Sequence, residues 1–227
     1  MKSYKYLDIL AIAFVVILLL SNFVASNKAS QIYGFTFGSG VVFFPISYLL
    51  GDILTEVYGY SQSRRVIWIG FGAMLFALVF LFVILHLPPA PEWTNQKAYE
   101  TVFGNTPRTV FSSIFAFWAG EFMNSFTLAK MKIITGGKYL FLRTIGSTIV
   151  GEGVDTLIFY PLALGGLSAF PWHLIFLVML GNYTIKVLWE VIATPLTYKV
   201  VAYLKKVEHE DYYDNKTNFN PFAIETR

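Results

Sequence analysis

The chain has 227 residues, of which 14% are charged and 56% apolar, and its mean hydropathy is +0.57. A soluble domain carries about 25% charged residues, so this composition excludes an ordinary soluble fold along with disorder, collagen, a coiled coil and a disulfide scaffold. With Cys 0 there is no thiol nucleophile, haem-attachment motif or Cys-ligated metal, and a formal net charge of +3 is too small to point to nucleic acid. The pattern is that of an all-α, polytopic membrane protein.

Crossing a bilayer core takes roughly 20 mostly apolar helical residues. In chain order the candidates are Leu7 to about Ser26, about Val41 to Tyr58 (interrupted by Pro45), Val66 to Leu87, about Thr109 to Lys130, about Leu140 to Leu164, and about Trp172 to Leu196. About six transmembrane helices are therefore expected. Lys2 and Lys5 before the first span, and Val24-Ala25-Ser26 after it, mimic a signal peptide. The apolar stretch is long for one, and a membrane domain follows, so cleavage is not expected.

Lysine and arginine positions test the topology independently. One set of connections holds Lys2, Lys5, Arg64, Arg65, Lys130, Lys132, Lys138 and Arg143, with Lys199, Lys205, Lys206, Lys216 and Arg227 near the end. The opposite set holds only Lys28, Lys97 and Arg108. The positive-inside rule then puts both termini in the cytoplasm. Between His86 and Pro107 lies the one long loop, stiffened by Pro88, Pro89 and Pro91, in which Asn95 to Phe103 reads as a short interfacial amphipathic helix. The expected organisation is a six-helix transmembrane domain over residues 1–206 and a polar, solvated cytoplasmic tail over 207–227, with Glu208, Glu210, Asp211 and Asp214.

Six carboxylates fall inside the spans: Asp52, Glu56, Glu121, Glu152, Asp155 and Glu190, joined by Lys186. Each charge costs about 2.5–3.5 kcal/mol near mid-membrane, so such residues face a bundle interior or an aqueous cavity. Their spacing is helical. Asp52 and Glu56 lie at i,i+4; Glu121 with Asn124, and Glu152 with Asp155, lie at i,i+3; Asn182, Lys186 and Glu190 repeat at four. Val66 to Leu85 is free of charge. Spans two, four, five and six are thus expected around a polar centre, with span three facing lipid.

Gly120-Glu121-x-x-Asn124-Ser125 echoes Gly151-Glu152-x-x-Asp155-Thr156, with Gly51-Asp52-x-x-Thr55-Glu56 a looser copy. A glycine before an acid permits close helix approach or local unwinding. Coincidence is the competing explanation for strings this short. Among the single charges, Lys186 with Glu190 reads as a structural pair, and Asp52 and Glu56 as capping or pairing with Arg64 or Arg65. Arg143 reads as an interfacial anchor or acid partner, His86 and His173 as interfacial, and Pro161 and Pro195 as kinks. Glu121, Glu152 and Asp155 are the candidates to face a solute.

Enzyme motifs are absent: no H-E-x-x-H, no G-x-S-x-G, no P-loop. In Gly151-Glu152-Gly153-Val154-Asp155 the aspartate comes one position late for the G-x-G-D of intramembrane proteases, and Gly136-Gly137-Lys138 is a loop. The chain is not expected to be an enzyme, and no cofactor or metal is implied. Buried carboxylates with nearby Asn, Ser and Thr among many aromatics suit a flat solute with several N–H donors. A guanine-like edge presents such donors in parallel for bidentate acceptance, and its faces can stack on Trp118, Phe117 or Tyr160. The same features accommodate an amine, a vitamin or a proton-coupled substrate.

Three blocks carry a resemblance. They are Pro45-Ile46-Ser47-Tyr48-Leu49-Leu50-Gly51-Asp52-Ile53-Leu54-Thr55-Glu56-Val57-Tyr58-Gly59-Tyr60 with Arg64-Arg65; Gly120-Glu121-Phe122-Met123-Asn124-Ser125 with Lys130 and Lys132; and Arg143-Thr144-Ile145-Gly146-Ser147-Thr148 followed by Gly151-Glu152-x-x-Asp155-Thr156. Over about residues 7–205 the chain resembles the bacterial queuosine-precursor transporter family. The resemblance implies a six-helix inner-membrane protein that imports a 7-deazaguanine, 7-cyano-7-deazaguanine or its aminomethyl relative, for queuosine in tRNA. Expected partners are that small molecule and the lipid bilayer, with no nucleic acid; a homo-oligomer is compatible.

Burial and spacing nominate Glu121, Asn124, Glu152, Asp155 and Trp118 for the solute. Asp52, Glu56, Arg143, Lys186 and Glu190 are the expected gating or structural polar residues. The competing class is a substrate-capture subunit docked on an energy-coupling ATPase, for which Ala25-x-x-x-Ala29 is a faint docking motif.

Overall fold

The computed structural model describes residues 4–25, 28–32, 35–104, 107–168 and 171–223. Lys2, Ser26 and Arg227 lie outside them, and so does part of the Ala25-x-x-x-Ala29 string. The fold is all-α apart from one hairpin. Its helices are α1 (Leu7–Leu20), α2 (Gly40–Tyr58), α3 (Tyr60–His86), α4 (Gln96–Phe103), α5 (Pro107–Ile134), α6 (Leu140–Leu164) and α7 (Trp172–Glu208). A π-helical turn, Ser21–Ala25, extends α1. Strands β1 (Ala29–Ile32) and β2 (Phe35–Gly38) pair antiparallel, with Ala29 opposite Gly38 and Ile32 opposite Phe35. α4 is the short helix anticipated in the long loop, and it presents no buried residue.

Two helices, α3 and α7, are long and apolar enough to cross a membrane on length and composition alone. α3 is polar-buried at its start, where Tyr60 to Arg64 are enclosed. Farther along it is bare, with Phe76, Val79, Phe80, Phe82 and Val83 exposed. Phe14 and Leu18 of α1, Ile53 and Val57 of α2, and Ile114 and Phe117 of α5 form the apolar core.

α5 and α6 cross at glycines. A Cβ on Gly120 would lie 3.0 Å from the Gly151 carbonyl oxygen and 2.9 Å from the Asp155 Cβ. One on Gly151 would lie 2.9 Å from the Gly120 oxygen and 2.7 Å from the Asn124 Cβ. The two halves of the sequence echo therefore face each other reciprocally, and only glycine permits that approach. Arg108 fastens the other end of the pair, donating through Nε to the Leu162 carbonyl at 2.6 Å and through Nη2 to that of Gly165 at 2.5 Å. These satisfy carbonyls that a helix C-terminus leaves open.

The segment after α7 is not a solvated extension. Its backbone and acids fold back over the basic end of the bundle, and this corrects the reading of it as a free polar tail. The Asp214 carboxylate, buried, accepts the Tyr60 amide at 3.2 and 3.0 Å and so caps the start of α3, where free N–H groups and the helix dipole favour an anion. Arg64 donates to the carbonyls of Asn218 and Asn220, and Trp68 to that of Pro221. Lys130 sits 3.8 Å from the Phe219 ring centroid. Gly59, at φ +85°, breaks α2 from α3, and the Tyr212 ring occupies the place where a side chain would project. The N-terminal residues meet the same end, since Lys5 and Tyr6 donate their amides to Glu208 and the Tyr4 hydroxyl donates to Glu210. Composition misled here because the tail's acids match the lysines and arginines gathered at that end.

Candidate functional site

Polar residues from α2, α5, α6 and α7 meet inside the bundle, the four helices expected to do so, and they fall into three levels. Farthest from the tail is a cavity of about 200 Å³ between the π turn, α2, α5, α6 and α7. Its walls include Asn22, Phe44, Asp155, Tyr160, Asn182 and Lys186. Lys186 is the polar hub. Its Nζ donates to Glu152 Oε2 at 2.7 Å and to Asp155 Oδ2 at 2.9 Å, and stands 4.9 Å from the Phe44 ring centroid. The expected Lys186–Glu190 pairing is not made. One turn along α7 leaves the two merely adjacent on their helix, whereas α6 offers two carboxylates directly across. Asn22 is fixed by its own contacts, donating to the Leu18 carbonyl and accepting from Ser113 Oγ at 2.8 Å.

Asp52 lies two turns and more along α2 from Phe44, about 12 Å at 1.5 Å per residue. Asn124 donates to Asp52 Oδ1 at 2.6 Å. Glu121 lies against the backbone beside Asp52, so that a Cβ on Gly51 would fall 2.0 Å from Glu121 Oε1. Asp52, Glu121, Asn124 and Glu190 are all buried. Among the described residues, both oxygens of Glu121, Asp52 Oδ2, Asn124 Oδ1 and Glu190 Oε1 have no hydrogen-bond partner.

The third level is cationic. Glu56, fully buried, meets Arg143 Nη2 at 2.6 Å, Lys205 Nζ at 2.7 Å and Lys132 Nζ at 3.6 Å. Its partners are these rather than Arg64 or Arg65, because Arg64 is taken by the tail. Asp211 joins from the tail, 2.5 Å from Lys132 and 2.8 Å from Lys205. Burial alone would raise the Asp211 pKa, but its hydrogen bonds and charges with those two lysines outweigh that and hold it below the usual carboxylate value. Arg143 also donates to the Lys138 carbonyl, closing the α5–α6 loop over itself.

Of the five residues nominated for a solute, Asp155 lines the cavity and Glu152 holds its Lys186. Glu121 and Asn124 lie in the middle level. Trp118 is elsewhere, packed with Trp68 at 5.7 Å, Phe122 at 5.3 Å and Phe222 of the tail at 5.8 Å between centroids. Phe117 is buried beside Phe14. Of the three aromatics named for stacking, only Tyr160 reaches the cavity wall. Sequence reading passed over Phe44 and Asn22. Phe44 immediately precedes Pro45, which in the sequence reads as an interruption of the kind that lines binding sites, although α2 runs unbroken through it; Asn22 ends an apolar span and carries no such signal. Among the described residues no group of three or more His, Asp or Glu is arranged to hold a metal ion.

The profile of a family described as "putative vitamin uptake transporter" matches residues 38–200. A protein of Bacillus subtilis (strain 168) named "Probable queuosine precursor transporter" is 31% identical over 173 residues, spanning 75% of this chain and 74% of that protein. No solved structure matches.

Proposed function

The chain belongs to the putative vitamin uptake transporter family, and from that premise we propose that it imports a queuosine precursor, 7-cyano-7-deazaguanine or 7-aminomethyl-7-deazaguanine, across the bacterial inner membrane. A transporter role, and with it a membrane location, comes with the family; it is not a family of enzymes. The solute is read from the cavity and from the relative's name. In this reading α1, α2, α3, α5, α6 and α7 are the six crossing helices and both termini are cytoplasmic. The cation-rich level beneath the tail is then the inner side, as the positive-inside rule requires, and the cavity belongs to the outer half. Residues 1–206 form the transport domain, with 207–227 as its cytoplasmic extension.

One observation carries the reading: an ammonium and a carboxylate side by side, Lys186 Nζ and Asp155 Oδ2 at 2.9 Å, on the wall of an aromatic cavity. A guanine-like edge offers a carbonyl acceptor beside N–H donors. Lys186 matches the carbonyl, Asp155 accepts the N–H groups in bidentate fashion, and Glu152 keeps Lys186 in place. Tyr160 and Phe44 supply faces for stacking. Before a solute arrives Lys186 offsets one of the two carboxylate charges, which lowers the cost of holding the cluster in lipid.

The test is queuosine in tRNA from a bacterium that can neither make nor import the precursor, expressing this chain and fed scarce 7-cyano-7-deazaguanine. Restored queuosine supports the reading. Its absence on every deazaguanine supplied, with the protein present in the membrane, overturns it. Uptake by the lone polypeptide in vesicles separates it from a capture subunit that needs an ATPase.

A further inference from the structure

We propose that Glu121, with Asp52 and Asn124, forms a proton-binding site behind the solute cavity, and that import is driven by proton entry through it. The inference rests on the transport reading above and adds its energy source.

Ion pairing sets three of the buried carboxylates apart from the others. Of the six carboxylates inside the helices, Glu56 has Arg143, Lys132 and Lys205, while Glu152 and Asp155 share Lys186. Asp52, Glu121 and Glu190 make no ion pair among the described residues, although each is buried. An ionised carboxylate without a cation in such surroundings carries a penalty of several kcal/mol or more. A carboxylic acid does not. What these oxygens are built to take is a proton.

A metal cation is the other occupant that such acceptors attract, but no suitable group of acids exists among the described residues. Asn124 spends its N–H₂ on Asp52 Oδ1 and leaves its own Oδ1 open. A protonated Asp52 or Glu121 would supply the O–H that this level lacks.

The groups facing Glu121 can be named helix by helix. α2 presents Tyr48 and Asp52, with Glu56 one turn on. α6 presents Glu152 and Asp155, whose charges act on Glu121. α7 presents Glu190, which acts on Asp52, and Lys186, held by the α6 acids. α5 adds Lys132, which lies three turns away and is taken by Glu56, Asp211 and the Tyr212 carbonyl.

Site and cavity share a wall. Gly120 packs on Asp155, and Glu121 is the next residue along α5. A solute that takes Asp155 from Lys186 changes the field at Glu121, so loading of solute and of proton are linked. The balance is simple. A hydronium ion at the outer mouth gives its proton to a Glu121 or Asp52 carboxylate, becoming water. The carboxylic acid returns the proton to water on the inner side.

The test uses the purified full chain in liposomes with radiolabelled 7-cyano-7-deazaguanine. Two quantities are read: counterflow exchange without a gradient, and accumulation under an inside-alkaline gradient of one pH unit. With one proton per solute the gradient sustains about tenfold accumulation, and a protonophore abolishes it. Glu121→Gln and Asp52→Asn are expected to retain counterflow, which also shows that they are folded, and to lose the response to the gradient. Wild-type counterflow without any gradient-driven accumulation overturns the proton site alone, as does an undiminished response in both variants. Wild-type protein with neither solute binding nor counterflow overturns the transport reading and the proton site with it.

Discussion

Gly120 of α5 and Gly151 of α6 each stand where the other's carbonyl oxygen leaves no room for a methyl group, at 3.0 and 2.9 Å from a would-be Cβ. The contact sets how closely the two acid-bearing helices approach, and so where Glu121 and Glu152 lie relative to each other. Gly151→Ala must move backbone or the Asn124 Cβ, at an expected cost of about 1–3 kcal/mol. Gly72 of α3, with nothing within 4 Å, is the control. Gly72→Ala should be neutral or stabilising by about 0.5–1 kcal/mol through helix propensity. Thermal unfolding in detergent ranks the two, and equal melting temperatures would contradict the crossing described.

Glu56→Gln removes the single anion on which Arg143, Lys205 and Lys132 converge. Arg143 is then a buried guanidinium with no carboxylate, and breaking such a pair costs about 3–5 kcal/mol. Chemical unfolding of the variant reads the loss. A change under 1 kcal/mol would mean that water or another group replaces Glu56.

Lys186 gives a sharper discrimination. A double-mutant cycle between Lys186→Met and Glu152→Gln should show coupling of about 1–3 kcal/mol, whereas the cycle with Glu190→Gln should show less than about 0.5 kcal/mol. The reverse order would restore the pairing along α7 that spacing suggests. Lys186→Met alone should lower solute affinity at least about tenfold, the equivalent of one lost hydrogen bond to a charged group.

Docking of the tail depends on pH in a direction fixed by Asp211. Its pKa in the folded chain lies below the unfolded value, so its contribution is whole above about pH 4 and is lost as pH falls through the folded value. Asp211→Asn should therefore loosen the tail at pH 7, seen as faster amide exchange at Tyr212, whose N–H is bonded to the Val57 carbonyl. Wild type and variant should converge in acid. The effect is modest because the Asp211 side chain is 44% exposed. A difference that grows in acid would refute the assignment.

Much of the candidate site was legible because charge is scarce in a membrane chain. Asp52, Glu121, Glu152 and Asp155 stand out in apolar runs, and their i,i+3 and i,i+4 spacings put them on inward faces. Spacing describes one helix at a time, however. It favoured Glu190 as the partner of Lys186 because it could not weigh the two acids of α6 opposite. It nominated Trp118 for the solute by residue type, and a residue type does not say what a ring packs on, which here is Trp68 and Phe222. The hairpin was missed as well, although Phe35-Thr36-Phe37 alternates as a strand does, because it lies between spans where the apolar count has no say.

Translation gives the tail a second consequence. The amide of Tyr60 and the ammonium of Lys132 are inserted early, but Asp214 and Asp211, which satisfy them, are synthesised after about eighty further residues or more, at ~5–20 residues per second. During that interval the start of α3 is uncapped and the face that the tail covers is bare of its acids. A ribosome that stalls between Glu208 and Asp211 would yield a chain with all its helices and an open, basic underside. That is a nascent product whose defect sits at its surface, where a protease can reach it.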